Sequence, residues 1–242
     1  MSTTPDEPVR RALVVVAHPD DVDFGAAATV ASWVQAGIEV SYCLCTSGDA
    51  GGHDDTPRSE MGPLREAEQH AAAAELGVTD LRFLHHPDGR LTSSIELRRD
   101  ISREIRRVRP QRVLTQSPEI WWERLGASHP DHRAVGEAAV AAVYPDARNP
   151  FAHPELLAEE GLDAWTVREL WMMGAPSERV NHVVDVTATI DRKIAALRAH
   201  KSQTAHMDDL EGLIRTMSGQ LARRFELPDG AFAEIFQTVE LR

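Results

Sequence analysis

The chain has 242 residues, 42% hydrophobic and 26% charged, which suits a soluble globular protein with one large core. Its 38 acidic and 26 basic residues leave a net charge of −12, which argues against nucleic acid or an anionic membrane as a partner, because both select basic surfaces. No apolar stretch nears the roughly 18 residues of a spanning helix. Residues 1–10 lack the apolar segment of a secretory signal, so a cytoplasmic protein is expected.

In chain order, residues 11–17 form a continuous apolar run that predicts a strand covered on both faces. An Ala-rich helix over 24–36 follows, stopped by Gly37, and then a strand over 38–46. Cys43 and Cys45 lie two apart in that strand and are expected on opposite faces, unpaired, as small core residues. A Gly/Asp/Ser loop over 47–60 contains His53, expected as a solvated loop residue. Next come a helix over 63–76, a strand over 81–85 and a helix over 94–108. In the last, Arg98, Arg99, Arg103, Arg106 and Arg107 alternate with Leu97, Ile101, Ile105 and Val108, predicting a solvated basic face. A strand over 112–116, a loop over 117–130 and an Ala-rich helix over 131–143 complete the alternation. Beyond it lie strand patterns at 170–173 and 183–186 and amphipathic helices at 191–200 and 210–225. His85 and His182 read as flanking the sheet, and His200 and His206 as capping or packing residues.

This pattern predicts an α/β fold: a mostly parallel sheet with helices on both faces and a C-terminal helical cap. The expected organisation is one domain over 1–242, with a core over about 11–186 and a helical part over about 187–242. Ligands of such sheets bind beyond the carboxyl ends of the strands. Two segments of one pattern fall there: His18-Pro19-Asp20-Asp21 after the first strand, and His129-Pro130-Asp131-His132 after the fourth. Each puts a ligand-type side chain at its first and fourth positions. His18, Asp21 and His132 form a two-His-one-carboxylate set with a position open for water, the catalytic arrangement for zinc, although Fe(II) suits the same donors. Asp20 could take a proton from that water as general base. His129 could stabilise or protonate the oxygen or leaving group opposite the metal, and Asp131 could orient an imidazole through its second nitrogen.

A single His-Pro-Asp is more often a structural turn, and the chain carries another at His86-Pro87-Asp88 and a near copy at His153-Pro154-Glu155. The inference rests on the pair. A dinucleotide site is disfavoured, since the first turn lacks G-x-G-x-x-G and carries Asp20, Asp21 and Asp23. Trp121 and Trp122, in the loop before His129, could stack on a sugar or aryl group, or serve packing or a subunit contact.

The motifs resemble the PIG-L, or LmbE-like, deacetylases: Ala17-His18-Pro19-Asp20-Asp21-Val22-Asp23 is similar to their A-H-P-D-D-x-E, and His129–His132 to their H-P-D-H. Thr46-Ser47-Gly48-Asp49-Ala50-Gly51 is similar to a T-x-G-x-A-G loop, and Arg65, Glu66, Glu68 and Leu76-Gly77 to the helix after it. His86–Arg90 is similar to a D-G loop, and His200-Lys201-Ser202-Gln203 to a weaker C-terminal element. The resemblance implies a Rossmann-like fold and zinc-dependent removal of an N-acyl group, typically acetyl, from an N-acetylglucosaminyl unit. It carries the metal to His18, Asp21 and His132, the base to Asp20 and the oxyanion to His129. It aligns Arg65 and Asp88 with sugar-contacting positions. On the residues alone, Arg65 could equally pair with Glu66 or Glu68. Asp23 departs from the usual Glu, with the charge kept and the reach shortened.

The expected partner is a small N-acyl amino sugar or related conjugate, and assembly into a homo-oligomer is compatible with this reading. Two alternatives stand beside it: an amidase for a thiol conjugate or other N-acyl natural product, and a non-catalytic binding protein whose metal only organises a ligand site.

Overall fold

In the computed structural model, which describes residues 8–52 and 55–241, seven strands of the described residues form one sheet of order β3-β2-β1-β4-β5-β7-β6. His53 lies outside the described residues. The strands are β1 (Arg11–Val16), β2 (Glu39–Leu44), β3 (Asp80–Phe83), β4 (Arg112–Gln116), β5 (Glu169–Met173), β6 (His182–Asp185) and β7 (Ala233–Glu240). The first five pair in parallel, and β7 runs antiparallel to both β5 and β6. The helices are α1 (Asp21–Gln35), α2 (Arg58–Leu76), α3 (Ile95–Val108), α4 (Pro130–Ala141), α5 (Pro154–Ala158), α6 (Ile190–Ala199), α7 (Lys201–Thr204) and α8 (Leu210–Arg224).

The period of two along each strand sorts the core into two layers. Val14, Val16, Tyr42 and Leu44 pack with Val22 and Val30 of α1, Leu76 of α2 and Ala196 of α6. Leu13, Val15 and Val113 pack on the opposite side with Leu97 and Ile101 of α3 and Val135 of α4. Both faces of β1 are therefore covered, which is why its sequence reads as an unbroken apolar run. Cys43 and Cys45 both join the second layer, are buried and are unpaired. The expectation of opposite faces is corrected, because residues two apart in a strand share a face.

Two further expectations change. The arginines of α3 are not a solvated face. Arg106 is 2% exposed and donates to the carbonyls of Asp146, Ala147, Asn149 and Ala152. Arg98 grips Asp146 with two hydrogen bonds of 2.9 and 2.8 Å, and Arg103 pairs with Glu160. The C-terminal part is also not helical throughout, since β7 returns to the sheet between β5 and β6. No helix of the described residues is long and apolar enough to cross a membrane.

Candidate active site

The chain leaves β1 toward β2 on one side and reaches β4 on the other, so the strand order reverses between β1 and β4. At such a switch point the loops beyond the strand ends part and leave a crevice. His18–Asp21 leaves the end of β1, and His129–His132 opens α4 after β4. Gly136, one turn into α4 from His132, lets the helix press on the sheet: a Cβ there would collide with the carbonyl oxygen of Gln116 at the end of β4. Pro130 occupies the first turn of α4, where its missing N–H costs nothing.

The two segments meet. The imidazole centroids of His18, His129 and His132 lie 5.2 to 5.3 Å apart, and ligand atoms of all three fall within 4.8 Å of one another. The Asp21 carboxylate bridges two of them, 3.3 Å from His18 Nδ1 and 2.9 Å from His132 Nε2. The opposite nitrogen of each is also held. His18 Nε2 lies 3.0 Å from Asp88 Oδ1 and 3.3 Å from Asp131 Oδ2, and His132 Nδ1 lies 3.4 Å from the Ala127 carbonyl oxygen. Asp131 is fixed by the backbone N–H groups of Gly89 and Leu91, and Asp88 by that of Ala50 at 2.8 Å. Imidazoles anchored through one nitrogen and facing a carboxylate with the other are the usual preparation for a divalent cation, and the donor chemistry fits one.

His129 is prepared differently. Its Nδ1 accepts the Asp131 backbone N–H at 3.2 Å, so the hydrogen-bond network puts the ring proton on Nε2. A protonated nitrogen donates a hydrogen bond and does not bind a metal. Partial desolvation, with His18 and His132 nearby, lowers the pKa of His129 and favours its neutral form.

The charges agree with a cation site. Burial opposes ionisation of His18, but Asp21, Asp131 and Asp88 outweigh it and push its pKa up to about 12. Burial likewise opposes the Asp21 charge, yet His132 and His18 hold that carboxyl well below its usual range. Asp20 behaves otherwise: burial pushes its carboxyl up to about 6, against the opposing pull of Arg65. Its backbone is left-handed, with φ at 83°. Its N–H donates to Gln69 Oε1 at 2.8 Å, and Gln69 Nε2 donates to Asp23 Oδ2, also at 2.8 Å. His200 Nε2 lies 2.8 Å from the same Asp23 oxygen. Asp23, Gln69 and His200 are fully buried, so a polar chain runs behind the turn that presents Asp20.

Arg65 is 4% exposed. It donates to the carbonyls of Gly48 and Pro19 and lies 3.2 Å from Asp20 Oδ2. It therefore ties the Gly48 loop to the His18–Asp21 turn, and it pairs with neither Glu66 nor Glu68. Glu66 accepts from Ser47 Oγ, and Glu68 from the Ser202 backbone and hydroxyl. Trp121 is 9% exposed and Trp122 75%, so the two face different surroundings. Gln69 and the role of His200 were missed by sequence reasoning. The His200-Lys201-Ser202-Gln203 stretch carried a signal, whereas Gln69 is an ordinary helix residue with none.

The family model described as GlcNAc-PI de-N-acetylase, PIG-L, matches residues 13–143. The chain belongs to this family. Diacetylchitobiose deacetylase of Thermococcus kodakarensis is 32% identical over 200 residues, 82% of this chain and 72% of that protein. The 1D-myo-inositol 2-acetamido-2-deoxy-alpha-D-glucopyranoside deacetylase of Streptomyces avermitilis is 30% identical over 272 residues, with 90% of each chain covered. Among solved structures, N,N'-diacetylchitobiose deacetylase from Pyrococcus horikoshii superposes with a TM-score of 0.85 at 26% identity, covering 96% of this chain and 84% of that one. The PIG-L match spans both His-Pro-Asp segments and the Asp88 loop.

Proposed function

We propose that the protein is a metal-dependent N-deacetylase that removes an acyl group, in the first instance acetyl, from an N-acetylglucosaminyl-type small molecule. The observation that carries this reading is the Asp21 carboxylate standing between His18 Nδ1 and His132 Nε2 beside a fourth group, Asp20, whose raised pKa suits proton transfer. The names of the PIG-L relatives supply the substrate class.

In this reading His18, Asp21 and His132 hold the metal, zinc first and Fe(II) as the second choice. A divalent cation there supplies a Lewis acid and a water acidic enough to be deprotonated near neutral pH. Asp20 takes the proton from the attacking water. The Nε2–H of His129 donates to the amide oxygen as negative charge develops on it. Protonated Asp20 then delivers its proton to the departing nitrogen, leaving a carboxylate and a free amine. Asp131 and Asp88 keep the His18 ring oriented, and Arg65 holds Asp20. Direct contact of Arg65, Asp88 or Trp121 with the sugar is secondary to these tasks, while exposed Trp122 remains available to stack on a sugar ring. We treat residues 1–242 as one catalytic domain working in the cytoplasm. In support, β6 is paired with β7, and two buried unpaired cysteines suit a reducing compartment.

The test is amine release from a panel of N-acetylglucosaminides. Chelation should abolish it, and added zinc or Fe(II) should restore it. Asp20→Asn should retain the metal and lose about 100-fold or more in kcat. Full turnover in that variant would remove the assignment of the base, and metal binding without any amine release would favour the binding-protein alternative.

A further inference from the structure

A cavity of about 440 Å3 opens from Asp21 and His132 and extends between α1, α8 and β7. That volume is in the range that holds drug-sized ligands and far exceeds the needs of a methyl group. Its walls include Phe24, Met173, Ile214, Met217 and Leu221. The charged pair in the lining faces protein: Lys193 Nζ donates to the Phe24 carbonyl at 2.7 Å and to Glu234 Oε1 at 2.6 Å, and Glu234 Oε2 accepts the Thr29 N–H at 2.8 Å. Gln116 Oε1 likewise accepts the Ala17 N–H. By contrast, the buried Trp121 Nε1–H has no partner among the described residues. Arg124, also in the lining, is exposed.

A sugar ring would bring more hydroxyls into this space than Ser218, the Trp121 N–H and Arg124 could satisfy, and each surplus one would lose water without gaining a partner. An aliphatic chain headed by one carbonyl would fill the apolar walls and carry an acceptor for one donor. We propose that the cavity is an acyl-chain site and that it extends the acyl groups accepted on the amino sugar from acetyl to medium-length aliphatic chains, which gain affinity there. This rests on the hydrolase reading above, with the amide at the Asp21–His132 end and the sugar outside the cavity. The reaction is unchanged in balance: water adds its oxygen to the acyl carbon, the C–N bond breaks, and a fatty acid and an amine leave.

Two measurements on the whole protein test it. In the metal-loaded enzyme, kcat/KM for amine release from N-acetyl-, N-butyryl-, N-hexanoyl- and N-octanoyl-glucosamine should rise about fourfold per buried methylene until the cavity is full. By calorimetry on the metal-free protein, N-hexanoylglucosamine should bind at least about tenfold more tightly than N-acetylglucosamine. Met217→Trp, filling the cavity from α8, should reduce both ratios about tenfold, with circular dichroism as the check on folding; Leu221→Trp is the second variant. A series that is flat or falls with chain length in both measurements overturns the proposal. So does a gain seen with alkyl glycosides of N-acetylglucosamine in place of the N-acyl series, which would assign the cavity to the aglycone. Chain-dependent binding with no amine release from any substrate would sustain the acyl site and reject the hydrolase reading.

Discussion

Asp20, the proposed general base, is held by two restraints acting on different parts of the residue. Gln69 fixes its backbone in the left-handed region, and the Arg65 guanidinium, 3.2 Å away, favours its charged form. A base must be ionised to accept a proton, so the acid limb of activity should follow the Asp20 pKa, at or below about 6, with a bound cation drawing it lower. Arg65→Met removes the group that favours the charge. The pKa therefore rises, and the acid limb of the kcat/KM profile should move to higher pH by about 1 unit. An unmoved limb would show that Asp20 is not the titrating group. The ligand-type residues of this site were legible because His and Asp at the ends of two rigid His-Pro-Asp turns are distinctive side chains. Gln69 was not, because an amide on the buried side of α2 becomes meaningful only when the His18–Asp21 turn lies against it. Asp88 was ambiguous for a similar reason. Its His-Pro-Asp lacks a ligand at the fourth position, and only folding brings it to His18 Nε2.

Among the elements, α3 shows how a correct helix can be assigned the wrong surroundings. Its apolar stripe marks the buried face, but Arg98, Arg103 and Arg106 beside it serve the 146–160 segment, and Arg107 pairs with Asp80 and Glu104. Arg106 adds donors to four backbone carbonyls, three of which, those of Asp146, Ala147 and Asn149, also accept a backbone N–H. Arg106→Met should lower stability by about 2 kcal/mol, because the Ala152 carbonyl loses its donor and the other three lose one of two. Urea unfolding would show this as a lower midpoint at unchanged slope, and a loss under about 1 kcal/mol would mean that water replaces the guanidinium. The boundaries of β4 and the succession of β1 to β5 along the chain followed from local pattern. The last strand, β7, did not, although Ile235, Phe236, Thr238 and Val239 favour extended chain. Glu234 sits in its buried part, and a buried carboxylate hides the alternation that marks a strand.

That same Glu234 joins three parts of the molecule. It links β7 to the backbone of α1 and, through Lys193, to α6; Lys193 and Glu234 are 4% and 3% exposed. Lys193→Met leaves a buried carboxylate without its cation and should cost about 3–5 kcal/mol of unfolding free energy. Adding Glu234→Gln, which keeps an acceptor for the α1 amides, should recover about half of that loss; a double variant as unstable as the single one would place the cost in packing instead. At this scale the division between sequence and structure has a physical basis. The sequence alone determined the α/β class, the strand-ending turns and the candidate metal-binding residues, because periodicity, turn chemistry and ligand type are properties of short segments. Tertiary structure alone decided which nitrogen of each imidazole faces the centre, that Arg65 serves Asp20, and that an apolar cavity adjoins Asp21 and His132. Those depend on contacts between residues far apart in the chain, and such distances are set only when the whole core has packed.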